Sequence, residues 1–208
     1  GSIAGSGDYV IENVGVNPTR TGVIDILKLM GADIHLHARP SQGAEPVADI
    51  EIRRSALRGI EVPASLVPLA IDELPVLFIA AAAASGETVF TGAAELRVKE
   101  SDRLAVMAEG LTRIGVVNEL APDGIRIQGG PRFRGGEVDS HGDHRIAMSF
   151  AIASLHSDGA IRVQDVENVG IAAGKSAKEV EKLLTKFTQG LGAGQDVDDR
   201  CRPAAWRD

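Results

Sequence analysis

The sequence predicts an α/β domain made of about three copies of one unit. Three glycine-led apolar stretches carry that prediction: Gly7-Asp8-Tyr9-Val10-Ile11-Glu12-Asn13-Val14, Gly86-Glu87-Thr88-Val89-Phe90-Thr91-Gly92 and Gly159-Ala160-Ile161-Arg162-Val163-Gln164-Asp165-Val166, which start 79 and 73 residues apart and read as strands. A helical segment follows each. The first two helices stop at Met30-Gly31-Ala32 and Ile114-Gly115-Val116, where glycine ends a helix before a new strand, and Leu191-Gly192-Ala193 reads as a degraded third stop. The second and third copies open with an alanine-rich or apolar helix, but only Gly1 to Ser6 precedes the first strand, so the first unit is expected to be truncated at its N-terminus. One domain is expected over residues 1–192. Residues 193–208 lack periodicity and apolar content and are expected to be a disordered tail.

Taken in order, Gly7 to Val16 is a strand, and Asn17-Pro18-Thr19-Arg20-Thr21-Gly22 is a loop before a helix over Val23 to Met30. Asp33 to Ala38 is a second strand, followed by a turn-rich loop with Pro40, Gly43 and Pro46. Ala48 to Arg53 alternates apolar and polar side chains as a half-buried strand does, and Gly59 to Pro63 reads as another. A buried helix after Ile71-Asp72-Glu73, the Gly86 strand, and a helix with Leu104, Met107, Ala108, Leu111 and Ile114 at helical spacing come next. Val116 to Leu120 and Gly124 to Gln128 form a two-strand excursion. Gly129 to Gly136, with Arg132 and Arg134, matches a hairpin connection better than a phosphate loop. An apolar helix after Gly142-Asp143-His144-Arg145, the Gly159 strand and a charged helix over Ser176 to Phe187 complete the pattern.

Composition narrows the function. The 208 residues are 44% hydrophobic and can bury a core, but only 3% are aromatic, so that core is expected to be Ala, Val, Ile and Leu. The one cysteine, Cys201, leaves no internal disulfide framework and no thiolate cluster; neither a metal nor another cofactor is expected. A net charge of −7 argues against a nucleic-acid partner, which needs a basic face. The apolar run Leu77 to Ala84 has the length of a core helix rather than the roughly 20 residues of a membrane span. With Gly1-Ser2 in place of a basic leader, no signal peptide is expected either, and the expected location is cytoplasmic.

Charge gathers at three helix starts. Leu96-Arg97-Val98-Lys99-Glu100-Ser101-Asp102-Arg103-Leu104 holds two guanidiniums, one ammonium and two carboxylates, with Ser101 read as the N-cap. Backbone N–H groups and the helix dipole favour anions there. Lys99 and Glu100 stand four and three residues before Arg103, so the three can face one ligand; a solvated helix start with a weak surface ion pair is the alternative. Asp72 and Asp143 each occupy an N-cap position before an apolar helix, so capping is a sufficient reading of either alone. The repetition of charge at all three starts favours an anion site.

In order, Asn17-Pro18-Thr19-Arg20-Thr21-Gly22, Arg97-Val98-Lys99-Glu100-Ser101-Asp102-Arg103-Leu104 and Asp143-His144-Arg145-Ile146-Ala147-Met148 resemble the C-terminal half of the 5-enolpyruvylshikimate-3-phosphate synthases, over about Gly7 to Asp165. The resemblance implies an inside-out α/β barrel domain of the enolpyruvyl transferase type, with three βαβαββ units around buried helices, and a second, N-terminal domain in cis or trans. It implies transfer of the enolpyruvyl group of phosphoenolpyruvate to the 5-hydroxyl of shikimate 3-phosphate with loss of phosphate, at a phosphoenolpyruvate site that glyphosate occupies in this family. By motif position, Asp72 resembles the proton acceptor that also holds the shikimate hydroxyls, and Lys99 its companion on shikimate 3-phosphate. Glu100 resembles the proton-handling carboxylate near the enolpyruvyl group, and Arg103 and Arg145 the clamps on phosphoenolpyruvate. His144 stands beside that clamp, with a structural or a catalytic role, and Lys175 stands near a family lysine. The chain departs from the family in two places. Glu95 stands where some members carry an Asn that touches shikimate 3-phosphate, and Ile171 to Lys178 replaces a Ser-Phe-Pro or Thr-Phe-Pro step. A non-catalytic anion-binding module, or a half-enzyme that needs a separate partner chain, are the other readings.

Overall fold

In a computed structural model, the described residues are 1–3, 8–40 and 45–172. The expected helix over Ser176 to Phe187, the third glycine stop, Lys175 and the tail lie outside them.

Glycine builds the two helix stops in the same way. Helix α1 (Gly22–Leu29) ends where Ala32 N–H donates to Leu27 O at 2.9 Å and Gly31 N–H to Lys28 O at 2.9 Å. Helix α3 (Arg103–Arg113) ends where Val116 N–H donates to Leu111 O at 2.9 Å and Gly115 N–H to Thr112 O at 3.0 Å. Gly31 and Gly115 take φ values of 96° and 91°, a left-handed conformation that costs a side chain but not glycine.

The strands repeat in step with these helices. Strands β1 (Asp8–Gly15), β2 (Asp33–Arg39) and β3 (Val47–Arg53) form an antiparallel sheet ordered β1-β3-β2. Strands β4 (Gly86–Phe90), β5 (Val117–Ala121) and β6 (Gly124–Gly129) form a second antiparallel sheet ordered β4-β6-β5. The same first-third-second order arises because each unit sends its third strand back between the first two. The third sheet is different: β7 (Gly136–Asp139) pairs in parallel with β8 (Ile161–Gln164).

Two expectations are corrected here, and one strand is added. Gly59 to Pro63 makes one isolated bridge to β4, Glu61 with Val89, and no ladder. The added strand is β7, which leaves no pattern in the sequence because Gly-Glu-Val-Asp shows one apolar side chain in four residues. Gly130 to Gly135 is not a hairpin turn but a crossing between sheets. Its Phe133 is buried, and its Arg132 donates to Asp158 at 2.6 Å and to Ser157 O at 2.7 Å.

Helix α2 (Leu74–Ala83) runs through the middle, with Leu74, Leu77, Phe78 and Ile79 all buried. Its alanines let backbone approach closely, so that the core packs by adjacency of small residues with Phe78 edge-on to Phe90 at 4.8 Å. The apolar face of α3 (Leu104, Met107, Leu111) and that of α4 (His144–Ala153; Ile146, Phe150) close over it, as their spacing predicts. A short helix α5 (Glu167–Ala172) follows β8. Among the described residues no helix is long and apolar enough to cross a membrane.

Candidate functional site

The N-terminal ends of α1, α2, α3 and α4 are linked by one chain of ion pairs. Arg20, just before α1, stands 4.0 Å from Glu73; Glu73 stands 3.9 Å from Arg145 in the first turn of α4. Arg145 stands 3.5 Å from the carboxylate of Asp72, which also meets Arg103 of α3 at 3.7 Å and Lys99 at 3.9 Å. Backbone N–H groups at four helix starts add partial positive charge to the same place.

Asp72 does not cap its helix. It lies in the 3₁₀ turn Pro68–Glu73; Glu73 holds the cap position of α2 without a side-chain capping bond, and Pro75 near the helix start removes a donor there. The Asp72 backbone carbonyl accepts from Arg145 Nη1 at 3.0 Å, while its carboxylate accepts no hydrogen bond among the described residues. The carboxylate is therefore held by charge alone, half-exposed among three cations.

Asp143 is held in the opposite way. It is fully buried, caps α4 by accepting from Arg145 N–H at 2.9 Å, and also accepts from Arg103 Nε at 2.7 Å and from Ser101 Oγ at 3.1 Å. Burial alone would raise its pKa; the Arg103 hydrogen bond and charge, the Arg145 N–H and the Ser101 hydroxyl outweigh that and hold the carboxyl below the usual aspartate value. Just before it, His141 and Gly142 take φ values of 50° and 69°, and Ser140 Oγ donates to the carbonyls of Gln164 and Asp165 at 2.9 and 2.7 Å. The loop is pinned in a sparsely populated backbone conformation, which sets the cap.

Among the described residues Arg103 is the largest fully buried side chain, 1% exposed, and Glu100, 56% exposed, accepts from its Nη2 on the solvent side. Lys99 donates to Glu95 as well as facing Asp72. The cap of α3 is Asp102, which accepts from Ala105 N–H at 3.0 Å; the expected cap, Ser101, turns instead to Asp143. Lys99 and Glu100 therefore precede the helix, following the 3₁₀ turn Ala94–Val98, so their approach to Arg103 comes from the loop and not from helical spacing. Arg97 leaves the cluster. It donates to Pro122 O and Ala121 O, both at 2.7 Å, and to Asp102 at 2.8 Å, tying the start of α3 to the β5–β6 turn.

The structure thus brings Asp72, Lys99, Glu100, Arg103 and Arg145 together. His144 opens α4, half-buried, and its ring makes no hydrogen bond among the described residues. Sequence reasoning missed Asp143 as the partner of Arg103, and Glu73 with Arg20 as the outer links. Its position before an apolar helix marks Asp143 as a cap, but a contact spanning 40 positions leaves no local signal.

The description "EPSP synthase (3-phosphoshikimate 1-carboxyvinyltransferase)" belongs to the family profile that matches residues 1–172. The chain is a member of the EPSP synthase family. A curated relative from Alkalilimnicola ehrlichii, named 3-phosphoshikimate 1-carboxyvinyltransferase, is 60% identical over 168 residues, which cover 81% of this chain and 38% of that protein. One of the same name from Halorhodospira halophila is 59% identical over 197 residues, 95% of this chain and 43% of that protein. The solved EPSP synthase of Acinetobacter baumannii superposes with a TM-score of 0.81 at 50% identity, covering 92% of this chain and 43% of that one. The chain therefore has the fold of this part of an EPSP synthase and spans about two fifths of the length of the relatives it matches.

Proposed function

We propose that this chain is one domain of a 3-phosphoshikimate 1-carboxyvinyltransferase, a cytoplasmic enzyme of aromatic amino acid biosynthesis. In this reading, residues 1–192 form an inside-out α/β barrel of three βαβαββ units, supported by the matching order of the first two sheets and the matching helix stops. A second, N-terminal domain completes the cleft. Nucleic acid and membranes are not partners.

The reaction joins the 5-hydroxyl oxygen of shikimate 3-phosphate to C2 of phosphoenolpyruvate while the methylene carbon takes a proton. Phosphate then leaves C2 and the methyl carbon returns a proton, giving the enolpyruvyl ether. Both substrates are anions, so cations must gather them and carboxylates must move protons. Asp72 accepts the hydroxyl proton and with Lys99 binds shikimate 3-phosphate. Glu100 handles the proton at the enolpyruvyl carbon. Arg103 and Arg145 hold phosphoenolpyruvate, with His144 and Lys175 further candidates. The observation that carries this reading is the carboxylate of Asp72, 3.5 to 3.9 Å from three cations and accepting no hydrogen bond among the described residues, a group poised to engage a ligand.

The test is reconstitution. The chain alone is expected to fold and to lack turnover, whereas mixing it with the complementary domain of a close relative is expected to restore phosphate release from the two substrates. Turnover by the chain alone within the usual enzymatic range, about 1 to 1000 per second, overturns the half-enzyme reading. Because the chain spans about two fifths of its relatives, a non-catalytic anion-binding module is the second reading. Phosphoenolpyruvate binding without turnover in the reconstituted mixture would favour it.

A further inference from the structure

We infer that Asp143 is the positioning residue of the anion site: one buried carboxylate fixes the side chain of Arg103 and the helix turn that carries Arg145, so that both guanidiniums present set donor edges to a bound carboxylate or phosphate. The inference rests on the reading of Arg103 and Arg145 as anion-holding groups.

The geometry divides the edges of Arg103. Asp143 takes the side edge, accepting from Nε at 2.7 Å and lying 3.4 Å from Nη2. The end edge carries Glu100 on Nη2 and faces Asp72 from Nη1 at 3.7 Å. Glu100 is mostly exposed and Asp72 is held by charge alone, so these two carboxylates can yield to a ligand. Asp143 has no such freedom, because it is buried and holds three hydrogen-bond donors from three places: Arg103, Ser101 and the Arg145 backbone. A guanidinium buried without a counter-charge is costly, so a permanent partner on the inner edge is what lets Arg103 lie inside the protein while its outer edge exchanges partners. The second arm of the device is the backbone. By capping α4, Asp143 sets where Arg145 leaves the helix, and Arg145 in turn reaches back to the Asp72 carbonyl. Binding geometry of the two arginines is thereby coupled through a group that does not touch the ligand.

The test uses the chain itself, with phosphoenolpyruvate and inorganic phosphate as probes, and reads the arginine Nε–Hε resonances together with affinity. In the parent protein the Arg103 Nε–Hε signal is expected to be protected from solvent exchange, and titration is expected to leave that protection in place. Asp143→Glu keeps the charge and displaces the carboxylate by one methylene. It is expected to shift the Arg103 signal and weaken phosphoenolpyruvate on the order of tenfold while the backbone spectrum stays folded. Asp143→Ala is expected to lose more affinity, with added formate restoring part of it, a rescue that a purely structural role does not predict. Ser101→Ala leaves both charges and guards against unfolded variants; a roughly threefold loss of affinity with an unchanged melting temperature supports the inference. A folded Asp143→Glu or Ser101→Ala protein that binds phosphoenolpyruvate as the parent does overturns it. A parent chain that binds neither probe overturns the anion reading itself and the inference with it, an outcome distinct from equal binding by parent and variants.

Discussion

The two ends of α2 are built from opposite materials, although a helix of ten residues separates them by only about 15 Å. At its N-terminal end Asp72 and Glu73 sit among Arg20, Lys99, Arg103 and Arg145. At its C-terminal end the surroundings are mostly small and carry less charge: a cavity of about 370 Å³ is lined by Ser2, Arg54, Ser55, Ala84, Ser85 and His156, among others. A helix C-terminus favours a cation, yet burial, helped by the charge of Arg132, lowers the His156 pKa and keeps the ring toward its neutral form. One end concentrates charge that must be compensated group by group; the other holds few charges and depends on fit. Substitutions at the first should therefore change binding and turnover, and substitutions at the second should change stability.

The largest expected effect lies at the charged end. Asp72→Ala in the reconstituted enzyme is expected to lower turnover by about 10² to 10⁴-fold, the usual contribution of a positioned proton acceptor. The melting temperature should stay within a few degrees, because Asp72 makes no cap bond that its loss could break. Activity surviving within about tenfold would reassign Asp72 to local structure and remove the contrast between the two ends.

Next in size are the two arginines, which the structure separates although the sequence treats them alike. Arg145→Lys keeps the charge and loses the planar fork, so phosphoenolpyruvate affinity is expected to fall by roughly 1.5 to 3 kcal/mol with shikimate 3-phosphate little affected and the fold unchanged. Arg103→Lys is expected to lose similar affinity and also stability, because the buried Asp143 keeps its charge but loses its two-point partner. Calorimetric titration beside thermal melting distinguishes the two. Unchanged affinity in both would take these residues out of the site.

How much of this was legible in the sequence follows from the range of each interaction. The glycine stops, the buried alanine-rich helix and the apolar face of α3 are local patterns, and each stands where its spacing put it. Charge at three helix starts was legible too, and the structure gathers it at one end of α2. The assignment within each start was not. Ser101 and Asp102 are both good caps, and the choice fell to Asp102 because Asp143, 42 positions on, draws the Ser101 hydroxyl away. Arg97 reads as one of the clamp cations until the β5–β6 turn offers it two carbonyls. Strand β7 gains its place from the parallel pairing with β8, which four residues of mixed polarity cannot announce.

The sparsely charged end supplies the converse experiment. A Cβ added at Gly129 would lie 2.2 Å from Ala84 O and 2.5 Å from Ala81 O, both backbone atoms that cannot turn aside. Gly129→Ala is expected to cost about 1 to 3 kcal/mol, the usual penalty of overpacking, and to lower the melting temperature by about 2 to 4 °C per kcal/mol in a chain of this size. Phosphoenolpyruvate affinity should not change. A loss of affinity at unchanged stability would mean that the two ends are coupled through α2 and are not independent.

The smallest expected effect is a pH dependence that distinguishes the ends by where it falls. His156 has its pKa lowered from 6.5 by burial first and by Arg132 second, partly opposed by a hydrogen bond with the Gly130 backbone and by Asp158. The unfolded chain therefore takes up the proton before the folded one does. Stability is fully present above about pH 6.5 and is lost as the pH falls below it. Asp143, lowered from 3.8 against the effect of its own burial, contributes stability above about pH 3.8 that is lost only as the pH falls through its still lower folded value. Melting temperatures taken from pH 7.5 down to 5 should thus decline in the parent and decline less in His156→Gln, which cannot titrate, while Asp143 stays ionised throughout and adds no slope. Equal slopes in the two proteins would show that the far end of α2 tolerates a charged imidazole, and the contrast between a highly and a sparsely charged end would then rest on packing alone.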